Sequence, residues 1–120
     1  MSKSNYSSVA AVLYVGDYSE AVDWYGKWLG RAPDVTPDEG VAEWQLAENA
    51  WIQVSVAPDP GLVGKSTVIC GVHNLEAQCA SCQSAGVTLS EIEDYGFIKL
   101  ANATDPAGNT VVFIQEIEQA

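Results

Sequence analysis

The chain has 120 residues, room for one hydrophobic core, and its 48% apolar and 18% charged residues are a globular rather than a disordered mixture. Five Lys plus Arg against sixteen Asp plus Glu leave a formal charge of −11 at pH 7. That charge repels phosphate backbones and anionic lipid, which excludes nucleic acid and membranes as expected partners. The amino terminus has no apolar run of signal-peptide length, and no later stretch approaches the roughly twenty apolar residues of a membrane span. Three cysteines are an odd number for a disulfide framework, so a cytoplasmic protein is the expectation.

In chain order, residues 8–15 read as a strand rich in Val and Leu, followed by Gly16-Asp17. Asp17 and Glu20 have capping-box spacing, and the helix they open runs to Leu29 before Gly30 ends it. Ala21, Trp24 or Tyr25, Trp28 and Leu29 recur at helical spacing as its core face. Pro33 and Pro37 bracket a short edge strand, because proline cannot donate to a ladder. Residues 41–47 and 50–56 then form a hairpin across Glu48-Asn49. The segment 57–65, with two prolines and two glycines, is the clearest linker.

Beyond it the order repeats. A strand is expected at 66–72, a helix from about 75 to 85 opened by Asn74 and ended by Gly86, and strands near 87–92, 97–103 and 110–117. Asp105-Pro106-Ala107-Gly108-Asn109 supplies the turn into the last strand, since proline presets φ and glycine or asparagine accepts positive φ. A repeat of strand, helix and strands at a spacing near sixty residues marks two small modules sharing one core. The expected organisation is one domain over 1–120, with module 1 at about 8–57, a linker at 58–65 and module 2 at about 66–117.

Val15-Gly16-Asp17, Trp24-Tyr25, Leu29-Gly30 and, above all, Asp105-Pro106-Ala107-Gly108-Asn109 before Val111-Val112-Phe113-Ile114 resemble the vicinal oxygen chelate superfamily. That superfamily holds glyoxalase I, extradiol dioxygenases, fosfomycin-resistance enzymes and bleomycin-resistance proteins. The Asp-Pro-Ala-Gly-Asn run is most similar to the bleomycin-resistance branch. The resemblance covers nearly the whole chain and implies an α+β fold of two tandem βαβββ modules, whose curved mixed sheets surround a cleft that a second subunit often completes. It also implies four metal-ligand positions in the metal-dependent members, which fall here on Ala10, Gln53, Thr67 and Val112. Ala10 and Thr67 lie 57 residues apart and Gln53 and Val112 lie 59 apart, so the four correspond between modules. None is His, Glu, Asp or Cys, whereas a catalytic divalent metal needs about three such ligands; the expectation is no metal, no cofactor and no catalytic residue.

Other constellations are weaker. Cys79-Ala80-Ser81-Cys82 has C-x-x-C spacing but lies inside a helix rather than at its first turn, so buried apolar cysteines on one face with Leu75 are expected. A zinc site of Cys70, His73, Cys79 and Cys82 is the less favoured reading, and His73 reads as a solvated residue at a strand-to-helix turn. Glu91, Glu93 and Asp94 read as a solvated acidic run.

Residues two apart on a strand share a face. Counted from the four vacant positions, Ala10, Val12 and Tyr14 form one wall of a site, Trp51, Gln53 and Ser55 a second, Thr67 and Ile69 a third, and Thr110, Val112 and Ile114 a fourth. The opposite faces, Leu13 with Val15, Ile52 with Val54 and Val56, and Val68 with Val72, are apolar and suit packing beneath the helices. Tyr14 and Trp51 offer ring faces to a planar or cationic ligand, and Glu43, Glu91 or Glu93 offer charge at the mouth. Trp51 can equally be a core or interface residue, and the facing of Trp44, Tyr95 and Phe97 stays open. The reading is a metal-free homodimeric protein that sequesters an aromatic or cationic small molecule through Ala10, Tyr14, Trp51, Gln53, Ser55, Thr67, Ile69 and Val112. The alternatives are a glyoxalase-type metal-dependent lyase or dioxygenase, a metal-free isomerase, and a pure interaction module.

Overall fold

A computed structural model describes residues 5–117. Within them the strands are β1 Val9–Val15, β2 Val35–Asp38, β3 Val41–Ala47, β4 Ala50–Val56, β5 Thr67–Gly71, β6 Glu93–Asp94, β7 Ile98–Thr104 and β8 Thr110–Glu116. The helices are α1 Tyr18–Leu29 and α2 Leu75–Ser84, and the linker holds one 3-10 turn, Pro60–Leu62. Each half of the sequence builds one mixed sheet, in the orders β1-β4-β3-β2 and β5-β8-β7-β6. In both, the first strand pairs parallel with the last and the hairpin strands run antiparallel. The fold is therefore α+β, two βαβββ modules of the expected kind.

Both helices start and stop as the sequence demands. Asp17 accepts a bond from the Glu20 backbone N–H and Asn74 one from Ala77, while Gly30 and Gly86 take the positive φ that ends each helix. Tyr25, not Trp24, is the fully buried aromatic of α1, and Trp24 packs half-buried beside it. On α2 the buried residues are Leu75, Cys79 and Cys82. Burial raises the pKa of both these thiols, which keeps them protonated and inert.

One expected strand is absent. Residues 87–92 form no ladder, and only Glu93–Asp94 pairs with β7. Val87 turns inward and is buried, so this stretch closes the core under α2, and Ser90 alone reaches across to Asn102. The edge strand of module 1 does form, but it includes Pro37 rather than stopping before it, with its register shifted between Val35 and Asp38.

The core lies between the sheets and their helices. Leu13, Val15, Ile52 and Val54 are fully buried on the helix side of module 1, and Val68, Val111 and Phe113 serve module 2. Val56, the last residue of β4, departs from this pattern and is exposed. An aromatic chain joins the halves, since α1 Tyr25 packs on Trp44 of β3 and α1 Trp28 meets Phe113 of β8 edge-on at 5.2 Å between ring centroids.

Candidate functional site

The faces turned away from the helices carry the predicted site residues. On the first sheet β1 pairs Ala10 with Trp51, Val12 with Gln53 and Tyr14 with Ser55. On the second, Thr67 pairs with Thr110, Ile69 with Val112 and Gly71 with Ile114. The structure thus gathers the eight predicted residues as two groups: Ala10, Tyr14, Trp51, Gln53 and Ser55 on one face, where Ser55 is buried, and Thr67, Ile69 and Val112 on the other. Ile69 is 65% exposed, and Ala10 and Thr67 are exposed as well.

A hydrogen-bonded row crosses the first open face. The Ser55 hydroxyl donates to Gln53 Oε1 at 2.7 Å, and Gln53 Nε2 donates to Glu43 Oε2 at 2.8 Å. Both ends of the Gln53 amide are engaged, which fixes its orientation and holds Glu43 beside Gln53 on the face that also bears Trp51. The face therefore carries a carboxylate acceptor and, two residues along β4 from Gln53, an indole ring.

A β-bulge puts Glu43 there. The hairpin pairs Ala47 with Ala50 but Gln45 with Trp51, a shift of one residue in register. A regular hairpin would set Trp44 opposite Gln53 on the open face; the bulge sets Glu43 there instead. Trp44 is fully buried under α1, where its indole N–H donates to the Arg31 carbonyl at 3.1 Å. Tyr95 and Phe97 are exposed at the β6–β7 end, with the Tyr95 hydroxyl donating to Glu93. That bond, more than the nearby charge, raises the Tyr95 pKa.

The Asp105–Asn109 turn has a role that sequence reasoning did not assign. Asp105 Oδ1 accepts the backbone N–H groups of Ala107, Gly108 and Asn109, each at 2.9 Å. Its Oδ2 accepts from the Tyr25 hydroxyl at 2.8 Å and from Asn109 Nδ2 at 2.9 Å. Asn109 also donates to the Tyr14 carbonyl and accepts from the Ser66 N–H. Asp105 and Asn109 are buried, and together they latch module 2 onto β1 and α1 of module 1. Burial and then the adjacent Asp105 carboxylate push the Tyr25 pKa far above the ordinary phenol value. The Cys70 thiol is pushed up to about 11 by burial. His73 is exposed at its turn, at the rim of a hollow of about 600 Å³ between the ends of β5 and β8.

Paired βαβββ modules, each covered by its helix on one side and open on the other, define a two-module α+β protein. The profile of the Glyoxalase/Bleomycin resistance protein/Dioxygenase superfamily matches residues 8–113, and the chain belongs to that superfamily. Among solved structures, a glyoxalase/bleomycin resistance protein from Catenulispora acidiphila DSM 44928 superposes with a TM-score of 0.84 at 27% identity, covering 92% of this chain and 98% of its own. The antibiotic-binding protein TnmS3 from Streptomyces sp. CB03234 gives 0.78 at 20% identity, with 98% and 99% covered. A bleomycin-binding protein complexed with bleomycin gives 0.73 at 18%, with 91% and 98% covered. No curated protein sequence matches.

The metal of the superfamily's enzymes does not fit these residues. Ala10 and Val112 carry no donor atom, Thr67 carries only a hydroxyl, and the Gln53 amide is bonded at both ends. Among the described residues no three His, Cys, Asp or Glu side chains gather closely enough to hold a metal ion. No helix among them is long and apolar enough to cross a membrane.

Proposed function

We propose that the protein is a metal-free small-molecule binder that sequesters an aromatic or cationic ligand on its open faces, the cleft being completed by a second copy of the chain. The observation that carries this reading is the Ser55–Gln53–Glu43 row on the face that bears Trp51: a fixed carboxylate sharing a face with an indole suits a flat molecule bearing a positive charge. The net charge of −11 draws such a molecule in. Support also comes from the antibiotic-binding and bleomycin-binding structures of the same fold. Sequestration requires affinity alone, which suits a face without nucleophile or acid–base pair.

Thermal-shift and calorimetric screening of bleomycin and other basic aromatic compounds tests the reading. A ligand at a hundredfold excess over its dissociation constant adds about 2.7 kcal/mol of stability. Glu43→Gln should weaken cationic ligands by about tenfold while sparing neutral ones, and Trp51→Ala should weaken both. Absence of any shift across basic and neutral aromatic compounds would remove the proposal.

A further inference from the structure

The two hairpins related by the internal repeat turn on a similar frame and carry different chemistry. At the first, Asp38-Glu39-Gly40-Val41, the Asp38 carboxylate accepts the Glu39 N–H and Gly40 takes a φ of +73°. At the second, Asp94-Tyr95-Gly96-Phe97, the Asp94 carboxylate accepts the Gly96 N–H at 2.8 Å and Gly96 takes a φ of +87°. In the ladders, Gln45 opposite Trp51 corresponds to Thr104 opposite Thr110. Gly40 stands five residues before Gln45 and Gly96 eight before Thr104, so the second tip reaches three residues, about 10 Å, further along its sheet. A Cβ at Gly40 would meet the Val56 side chain, whereas one at Gly96 would meet nothing within 4 Å.

Every residue from Glu91 to Phe97 is exposed. Tyr95 and Phe97 flank Gly96 at 56% and 64% exposure, where hairpin ends ordinarily carry polar residues, and exposed aromatic surface of this kind marks contact sites. The Tyr95 N–H donates to the Ile98 carbonyl and the Phe97 carbonyl accepts from Ile117, so both rings are displayed on a hydrogen-bonded turn. The Tyr95 hydroxyl donates to Glu93 Oε2 at 2.7 Å, which ties a carboxylate to the ring. Glu91, Glu93 and Asp94 share the segment with no cation, and Lys99, the nearest in sequence, is turned to α2 and donates to Glu76. Aromatic rings among uncompensated carboxylates suit a guanidinium, which stacks on a ring and donates parallel bonds to a carboxylate. A second copy is a poor occupant of so acidic a tip, since it carries a charge of −11 and two of its five cations, Arg31 and Lys99, are already paired.

We propose that the β6–β7 tip is a docking surface for an arginine-bearing segment of a basic partner protein, with guanidinium groups on the Tyr95 and Phe97 rings and their N–H groups on Glu91, Glu93 and Asp94. The aromatic rings select arginine; the carboxylates supply the attraction.

A peptide of alternating Arg and Gly serves as the probe and its Lys-Gly counterpart as the control of equal charge, read by calorimetry and by amide shifts of ¹⁵N-labelled protein. The Arg peptide should bind about threefold more tightly than the Lys peptide and move the signals of residues 91–97. Tyr95→Ala combined with Phe97→Ala should weaken the Arg peptide by about tenfold and erase the preference. Asp38→Asn combined with Glu39→Gln, which removes charge at the corresponding first hairpin, should leave binding within about twofold, because charges beyond a Debye length are screened. The proposal is overturned if the Arg peptide does not bind, if Arg and Lys peptides bind alike, or if the tip variant binds as the parent does. It is equally overturned if Trp51→Ala abolishes peptide binding, which would move the basic ligand to the open face, or if the tip variant changes the sedimentation of the protein, which would assign the tip to contact between copies. Failure of the peptide alone leaves the open-face reading standing, because Trp51, Gln53 and Glu43 are tested by small molecules.

Discussion

Tyr25 is the residue on which the junction of the modules turns. Its hydroxyl reaches Asp105 from 80 positions away in sequence, and its ring packs on both Trp28 and Trp44. Below about pH 10 the phenol is protonated in folded and unfolded chain alike, so its stabilisation is fully present. Above that pH the unfolded chain releases the proton while the folded chain, with its raised pKa, retains it, and stability falls by about 1.4 kcal/mol per pH unit. The Cys70 thiol adds a loss of the same sign between about 9 and about 11. Tyr25→Phe should cost about 1–3 kcal/mol at pH 7, because a buried carboxylate loses a donor, and should flatten the alkaline slope. Urea unfolding of both proteins from pH 7 to 11 decides this; parallel pH profiles would show that Tyr25 ionises as readily folded as unfolded.

At the scale of elements, caps and face alternation were readable and ladder register was not. Asp17, Gly30, Asn74 and Gly86 delimit their helices because capping is a local interaction between residues a few positions apart. The facing of Trp44 was undecidable because one bulged residue between Gln45 and Ala47 exchanges it with Glu43, and a bulge has no signature in the alternation of apolar and polar residues. The strand expected at 87–92 fails for a related reason: Val87 and Leu89 alternate as in a strand, yet they pack under a helix rather than join a sheet. The linker illustrates a contact that crosses elements. Gly64 has φ +73°, and a Cβ there would lie 2.1 Å from the Ala107 carbonyl oxygen. Gly64→Ala should therefore destabilise by about 2 kcal/mol or more, whereas Gly71→Ala should be nearly neutral; chemical denaturation of both variants gives the comparison.

For the molecule as a whole, the helices cover one side of each sheet, and the other side is left largely open, with Ala10, Thr67 and Ile69 exposed and Ser55 buried. Val12 and Ile69 stand on these open faces, and Tyr95 and Phe97 are exposed at the β6–β7 end. If a second copy completes the cleft, a charge at the centre of the buried face must disrupt it, since an unpaired buried charge is strongly unfavourable. Ile69→Lys should raise the dimer dissociation constant by at least about tenfold in sedimentation experiments, with an unchanged far-ultraviolet circular dichroism spectrum because the helix-side core is untouched. A parent protein that sediments as a monomer at tens of micromolar would refute the completed cleft.

The repeat, the helix caps, the sheet faces and the poverty of metal donors at Ala10, Gln53, Thr67 and Val112 are properties of residue order, and the sequence by itself determined them. Two matters were decided only by the tertiary structure: that Glu43 joins Gln53 and Ser55, and that Asp105 and Asn109 serve as a latch for Tyr25 and Tyr14. Each depends on bringing together residues distant in sequence or on a register shift of one, and neither can be read from the local periodicities that reveal secondary structure.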